Sequence, residues 1–150
     1  YLHSVKGVNS RLDALQAAIL TVKLRHLNKW NSKRREAAKL YTRLLADSPE
    51  IITPYISDSA QSVFHIYAVR APKRDRVVAK LKEKGVNAGV HYPLPVHLQP
   101  AFRHLKIKRT SYPVCERVCR SVISLPIYPE ITRSQIEFVS ETLKKTIKKV

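Results

Sequence analysis

The chain has 150 residues, 44% hydrophobic and 26% charged, enough to bury roughly two-thirds of its unfolded surface in one core and too apolar for intrinsic disorder. No window approaches the ~18 consecutive apolar residues of a membrane span, and no charged leader runs into an apolar stretch with a small-residue cleavage site. The formal charge of +17 raises nucleic acid as a partner, but the basic excess is spread through the chain. Its short runs, such as Lys33-Arg34-Arg35, read as solvated helix faces.

The first expected element is a long helix. After Gly7-Val8-Asn9-Ser10, apolar or large residues recur at Leu12, Leu15, Ile19, Val22, His26 and Trp30, then Ala37, Tyr41 and Leu44, the three-and-four spacing of one helical face. Arg11 to Ala46 holds no Gly or Pro, so an unbroken helix of about 50 Å is predicted at 1.5 Å per residue. Such a helix reads as a spine between two bodies. Asn9 or Ser10 would cap its first turn.

Beyond Ser48-Pro49, the β-branched and aromatic run Ser62 to Arg70 predicts a buried strand closed by Ala71-Pro72. Arg74 to Lys84 predicts a helix on the stripe Val77, Val78 and Leu81, stopped by Gly85. Val86 to His91 follows as a second strand. Pro93, Pro95 and Pro100 then impose an extended loop. A short helix from about Val114 to Arg120, a strand from Val122 to Leu125, and a final helix complete the order. That last helix opens on a capping box, Thr132 with Gln135, and its face is Ile136, Val139, Leu143 and Ile147. The expected fold is a small α/β layer of α+β character: a spine helix, then a mainly antiparallel sheet of about three strands with helices packed on it. Residues 1–48 form the entry turn and connecting helix, and 49–150 the small domain.

Two stretches could carry chemistry. His91-Tyr92-Pro93-Leu94-Pro95-Val96-His97-Leu98-Gln99-Pro100 places two imidazoles, a phenol and an amide on a proline-stiffened loop after a strand, where binding groups are often displayed. The same residues also suit a purely structural, hydrogen-bonded loop. A metal site from His91, His97 and His104 with Cys115 and Cys119 fits neither a zinc-finger spacing nor a helical two-histidine motif, so no metal is assigned. In Gly7-Val8-Asn9-Ser10-Arg11, Asn9 could donate an amide hydrogen bond and Arg11 a guanidinium fork to a phosphate; a plain helix-entry turn reads equally well. With only Gly7, Gly85 and Gly89, there is no Walker loop, nucleophile elbow or glycine-rich dinucleotide turn. Cys115 and Cys119 are too few and too close for a disulfide scaffold, which makes a reducing cytoplasm the simplest setting. The chain starts at Tyr1 and contains no Met, so it is expected to be a piece of a longer protein.

Taken in order, Gly7-Val8-Asn9-Ser10-Arg11-Leu12-Asp13-Ala14-Leu15-Gln16, Trp30-Asn31, His65-Ile66-Tyr67, His91-Tyr92-Pro93, His97-Leu98-Gln99-Pro100, Tyr112-Pro113-Val114 and Leu125-Pro126-Ile127-Tyr128-Pro129 resemble the C-terminal part of the DegT/StrS-type sugar-nucleotide aminotransferases. These are pyridoxal-phosphate enzymes of the aspartate-aminotransferase fold (fold type I), and the resemblance covers nearly the whole chain. It implies transfer of an amino group from glutamate to a keto-sugar on a nucleoside diphosphate, with pyridoxal 5'-phosphate as cofactor and the enzyme a homodimer. It gives Asn9 a bond to the cofactor phosphate in the neighbouring subunit's site and Arg11 a place in the same anionic surroundings. His91, Tyr92 and His97 become candidate contacts to the nucleotide-sugar. The family's Schiff-base lysine lies upstream of the Gly-x-Asn-x-Arg motif, within a cofactor-binding large domain absent from these residues. No catalytic residue is therefore assigned here, and this piece alone is expected to be inactive. His104 to Ser111 lacks the glycines usual before Tyr-Pro-Val, which implies a loop of different shape. A non-catalytic regulatory homologue of the same fold is the main alternative, and a basic nucleic-acid-binding module is disfavoured by the diffuse charge and the lack of a recognition motif.

Overall fold

The computed structural model describes every residue, Tyr1–Val150. An extended segment leads into helix α1 (Ala14–Leu24) and helix α2 (Leu27–Leu45). Strand β1 (Tyr67–Arg70), helix α3 (Arg74–Glu83), two short 3-10 turns (Val96–Leu98 and Pro100–Leu105), helix α4 (Pro113–Ser121), strand β2 (Val122–Leu125) and helix α5 (Arg133–Ile147) follow. No helix is long and apolar enough to cross a membrane.

The unbroken helix expected over Arg11 to Ala46 is two helices. Around the break, the His26 N–H bonds the Lys23 carbonyl at 3.0 Å, and the new helix starts with the Trp30 N–H on His26 O at 3.0 Å. One turn earlier, the Thr21 hydroxyl donates to Ala17 O at 2.8 Å, a side-chain back-bond that bends helices. The start is displaced as well. Asp13, rather than Asn9 or Ser10, caps α1 by accepting the Gln16 N–H at 2.7 Å. The apolar face read along both helices is buried only in the second: α1 has no buried residue, whereas α2 buries Ala37, Ala38, Tyr41 and Leu45.

The sheet has two strands where about three were expected. β1 and β2 run antiparallel in a register that opposes Tyr67 to Leu125 and Arg70 to Val122. Single bridges flank them, Ile52 on Arg70 and Gly89 on Ser124. The strand expected over Ser62 to Arg70 is cut to its last four residues because Phe64 sits at φ +48°, a left-handed conformation that turns the backbone out of the ladder. The Ser62 hydroxyl fixes that turn by accepting the Phe64 N–H at 3.1 Å. The strand expected over Val86 to His91 fails for a different reason. After Gly85, at φ +79°, the Val86 N–H bonds back to Leu81 O and the Ala88 N–H to Val86 O, so only Gly89 is left to pair with β2.

The core lies between the sheet and helices α2, α3 and α5. Val77 and Leu81 of α3 and Ile136, Val139 and Leu143 of α5 meet Tyr67 and Val69 of β1 and Ile123 and Leu125 of β2. Tyr41 and Tyr67 stack with centroids 5.1 Å apart. Both hydroxyls are partnered, Tyr41 donating to Pro126 O at 2.9 Å and Tyr67 sharing a 2.8 Å bond with the Thr42 hydroxyl, as buried phenols require. Burial pushes both phenols above their ordinary pKa. The capping box opens α5 as read, with Thr132 and Gln135 bonding each other's backbone N–H. All four residues of β2 are buried, which fixes the strand from which the candidate site is supported.

Candidate functional site

The loop after Gly89 is held at several points. Gly89 and Ser124 exchange backbone hydrogen bonds of 2.9 and 2.8 Å, which places His91 beside β2. Its Nδ1 lies 2.9 Å from Ser124 Oγ, and its Nε2 lies 3.3 Å from the Tyr1 hydroxyl. The Tyr1 ring meets His91 and Tyr92 edge-on, at centroid distances of 5.9 and 5.3 Å. Tyr92 itself is 54% exposed. Tyr1, Val5, Tyr92, Leu94, Val96 and Phe102 line an apolar cavity of about 560 Å³, with the Lys6 ammonium 5.9 Å from the Phe102 ring centre. His65, Asn87, His91 and Ser124 border a smaller cavity of about 280 Å³.

His97 points elsewhere. Its Nε2 lies 3.3 Å from Glu116 Oε1 on α4, and both side chains are only 8% exposed. The Tyr112 ring meets the imidazole at 4.8 Å. His91 and Tyr92 thus share one patch with Tyr1, while His97 ties the far end of the loop to α4. Gln99 ties the loop to the start of the chain: its amide accepts the His3 N–H and donates to Tyr1 O, each at 3.0 Å, and the Ala101 N–H adds a 2.9 Å bond to His3 O. Gln99 is the amide read on this loop, whereas Glu116, Ser124 and Gly89 are site-building residues that the sequence did not single out. Glu116 is the one buried residue of α4, and no pattern in the sequence marks it.

Asn9 and Arg11 stand apart from this loop. Both are exposed on the extended segment before α1. Together they present an amide and a guanidinium, a donor set suited to a phosphate. The fit to pyridoxal phosphate is therefore that of a contributor to a phosphate contact. No three His, Cys, Asp or Glu side chains gather around a point that could hold a metal ion. Cys115 is exposed, and Cys119, on the next turn of α4, has its thiol pKa raised chiefly by burial.

A sequence profile of the DegT/DnrJ/EryC1/StrS aminotransferase family matches residues 1–144. Among curated relatives, a pleiotropic regulatory protein of Geobacillus stearothermophilus is 46% identical over 145 residues, 95% of this chain and 39% of its own length. The dTDP-3-amino-3,4,6-trideoxy-alpha-D-glucose transaminase of Streptomyces venezuelae is 38% identical over 150 residues, all of this chain and 40% of its own. Among solved structures, Streptomyces venezuelae DesV superposes with a TM-score of 0.88 at 38% identity, again covering all of this chain and 40% of that one. The chain thus spans about two-fifths of the length of the relatives it matches.

Proposed function

The chain belongs to the DegT/DnrJ/EryC1/StrS aminotransferase family, and from that premise we propose that it is the substrate-side portion of a PLP-dependent enzyme that moves an amino group from glutamate to a nucleoside-diphosphate keto-sugar. The observation that carries this reading is full coverage of the chain by a sugar-nucleotide transaminase, in sequence and in fold. In this reading, residues 1–48 supply the cofactor-side turn and connecting helices, and 49–150 the small domain. Asn9 and Arg11 bind the cofactor phosphate across a homodimer interface. Bound pyridoxal phosphate supplies the electron sink for amino transfer. His91 and Tyr92 orient the nucleotide-sugar from the exposed side of the loop. His97, turned onto Glu116, holds that loop in place and reaches the substrate's surroundings through it. The Tyr1–His3 segment, pinned by Gln99, closes one wall against water. Two free thiols suit a reducing cytoplasm.

The name of the Geobacillus relative suggests a second reading, a regulatory protein on the same fold. It is the weaker one, because sugar transaminases match the chain in both sequence and fold. The test is kinetic, on the whole polypeptide that carries these residues. His91→Ala and Tyr92→Ala are each expected to raise the KM for the nucleotide-sugar by about tenfold, the equivalent of ~1.4 kcal/mol, while the KM for glutamate stays within about twofold. Equal rises for both substrates overturn the assignment of this loop to the nucleotide-sugar.

A further inference from the structure

We infer that Ser124 and Gly89 are positioning residues that fix the His91 imidazole in one tautomer, with a protonated Nε2 turned outward as a hydrogen-bond donor. The inference deepens the functional reading and rests on it for the identity of the acceptor, an oxygen of the nucleotide-sugar.

Ser124 lies in β2 and is 6% exposed. Its hydroxyl oxygen makes a single hydrogen bond, to His91 Nδ1 at 2.9 Å. A largely buried hydroxyl favours pairing its proton, and the one protein group that the Ser124 hydroxyl bonds is that ring nitrogen. Ser124 therefore donates to Nδ1. A neutral imidazole that accepts at Nδ1 carries its proton on Nε2. Nε2 is also the nitrogen on the open side, 3.3 Å from the Tyr1 hydroxyl beside the exposed Tyr92.

Gly89 sets the ring's position. A Cβ built there would stand 2.9 Å from His91 Cε1, the carbon between the two nitrogens, and 3.5 Å from Nδ1. The imidazole thus packs where a side chain at 89 would stand, and a Cβ there would oblige the ring to shift. The two supports act together, because Gly89 and Ser124 are joined by a pair of backbone hydrogen bonds. Their bridge holds the ring from below and from the side, so an incoming phosphate, hydroxyl or carbonyl oxygen meets a pre-oriented donor. In this tautomer the outward nitrogen presents a proton and no lone pair, which suits His91 to donate a hydrogen bond from that face.

The test is nitrogen NMR on the intact polypeptide labelled with [15N]histidine. In the wild type, His91 is expected to show an unprotonated Nδ1 and a protonated Nε2. In Ser124→Ala, and in Gly89→Ala, the two nitrogen signals move toward each other as the ring begins to sample both tautomers. A protonated Nδ1 in the wild type overturns the inference, as do signals left unmoved by Ser124→Ala. Should that variant fail to fold, the wild-type tautomer decides alone. Adding dTDP separates this inference from the functional reading it rests on. A shift of the His91 Nε2 signal supports both. A locked tautomer with no response to dTDP removes the nucleotide from this site and leaves the positioning roles standing.

Discussion

His97→Ala is expected to loosen the loop from α4 by orphaning Glu116. The Glu116 carboxylate is 8% exposed, and its one hydrogen-bond partner is His97 Nε2 at 3.3 Å. Leaving a buried carboxylate unpaired costs about 3 kcal/mol, the lower end for a broken buried pair because the bond is long. Glu116→Ala orphans a neutral ring that can be resolvated and costs about 1–2 kcal/mol. Glu116→Gln keeps an acceptor for the imidazole and costs less than about 1 kcal/mol. The double variant His97→Ala/Glu116→Ala leaves neither group stranded, so its cost falls short of the sum of the two single changes by more than about 0.5 kcal/mol. Urea unfolding followed by Trp30 fluorescence and far-UV circular dichroism measures all four. For a domain of this size, the first variant corresponds to a fall in Tm of roughly 6–12 °C. Additivity of the two single changes, or a Glu116→Gln variant as unstable as Glu116→Ala, would refute the claim that this pair latches the loop.

Three further outcomes follow from the same structure. Asn9→Ala in the whole polypeptide is expected to weaken pyridoxal-phosphate retention about ten- to hundredfold, the loss of one charge-assisted hydrogen bond; equilibrium dialysis checks it, and unchanged retention counts against Asn9. Thr132→Ala removes half of the α5 capping box and is expected to cost about 1 kcal/mol in urea unfolding. The Asp47 carboxyl is held below its usual pKa, first by its hydrogen bond from Lys144, whose own pKa that bond raises in turn. A depressed acid stabilises the fold above its ordinary unfolded pKa, near ~4, and loses that contribution as pH falls through the folded value. Asp47→Asn should therefore lower Tm at pH 7 and converge with wild type at about pH 2; a gap that persists in acid contradicts the assignment.

What the sequence disclosed was set by local physics. The strand Val122–Leu125 is a short, mostly apolar run before a proline, α3 ends at a glycine able to adopt positive φ, and α5 starts at a capping box whose partners lie three residues apart. The break between α1 and α2 had no such mark, because neither Gly nor Pro lies there and the turn is made by hydrogen bonds at Lys23 and His26. Strand β1 lost its first half to the backbone of Phe64, a residue type that gives no warning of a left-handed conformation. In the site, His91, Tyr92 and His97 were visible as polar groups on a proline-rich loop. Their division into an outward pair and an inward latch depends on Ser124 and Glu116, more than 15 residues away in sequence. Asn9 and Arg11 enter as phosphate contacts only through the family resemblance, since locally they read equally well as a helix entry, and the structure gives the cap to Asp13.

Amino transfer to a nucleotide-sugar can be followed directly by isotope transfer. The whole polypeptide, loaded with pyridoxal phosphate, is incubated with [15N]glutamate and dTDP-linked keto-sugars differing in the position of the carbonyl. The expected result is 15N at one ring carbon of one such sugar, with an equal amount of 2-oxoglutarate released. A folded, cofactor-loaded protein that converts none of them, or that exchanges nitrogen only among amino acids, contradicts it.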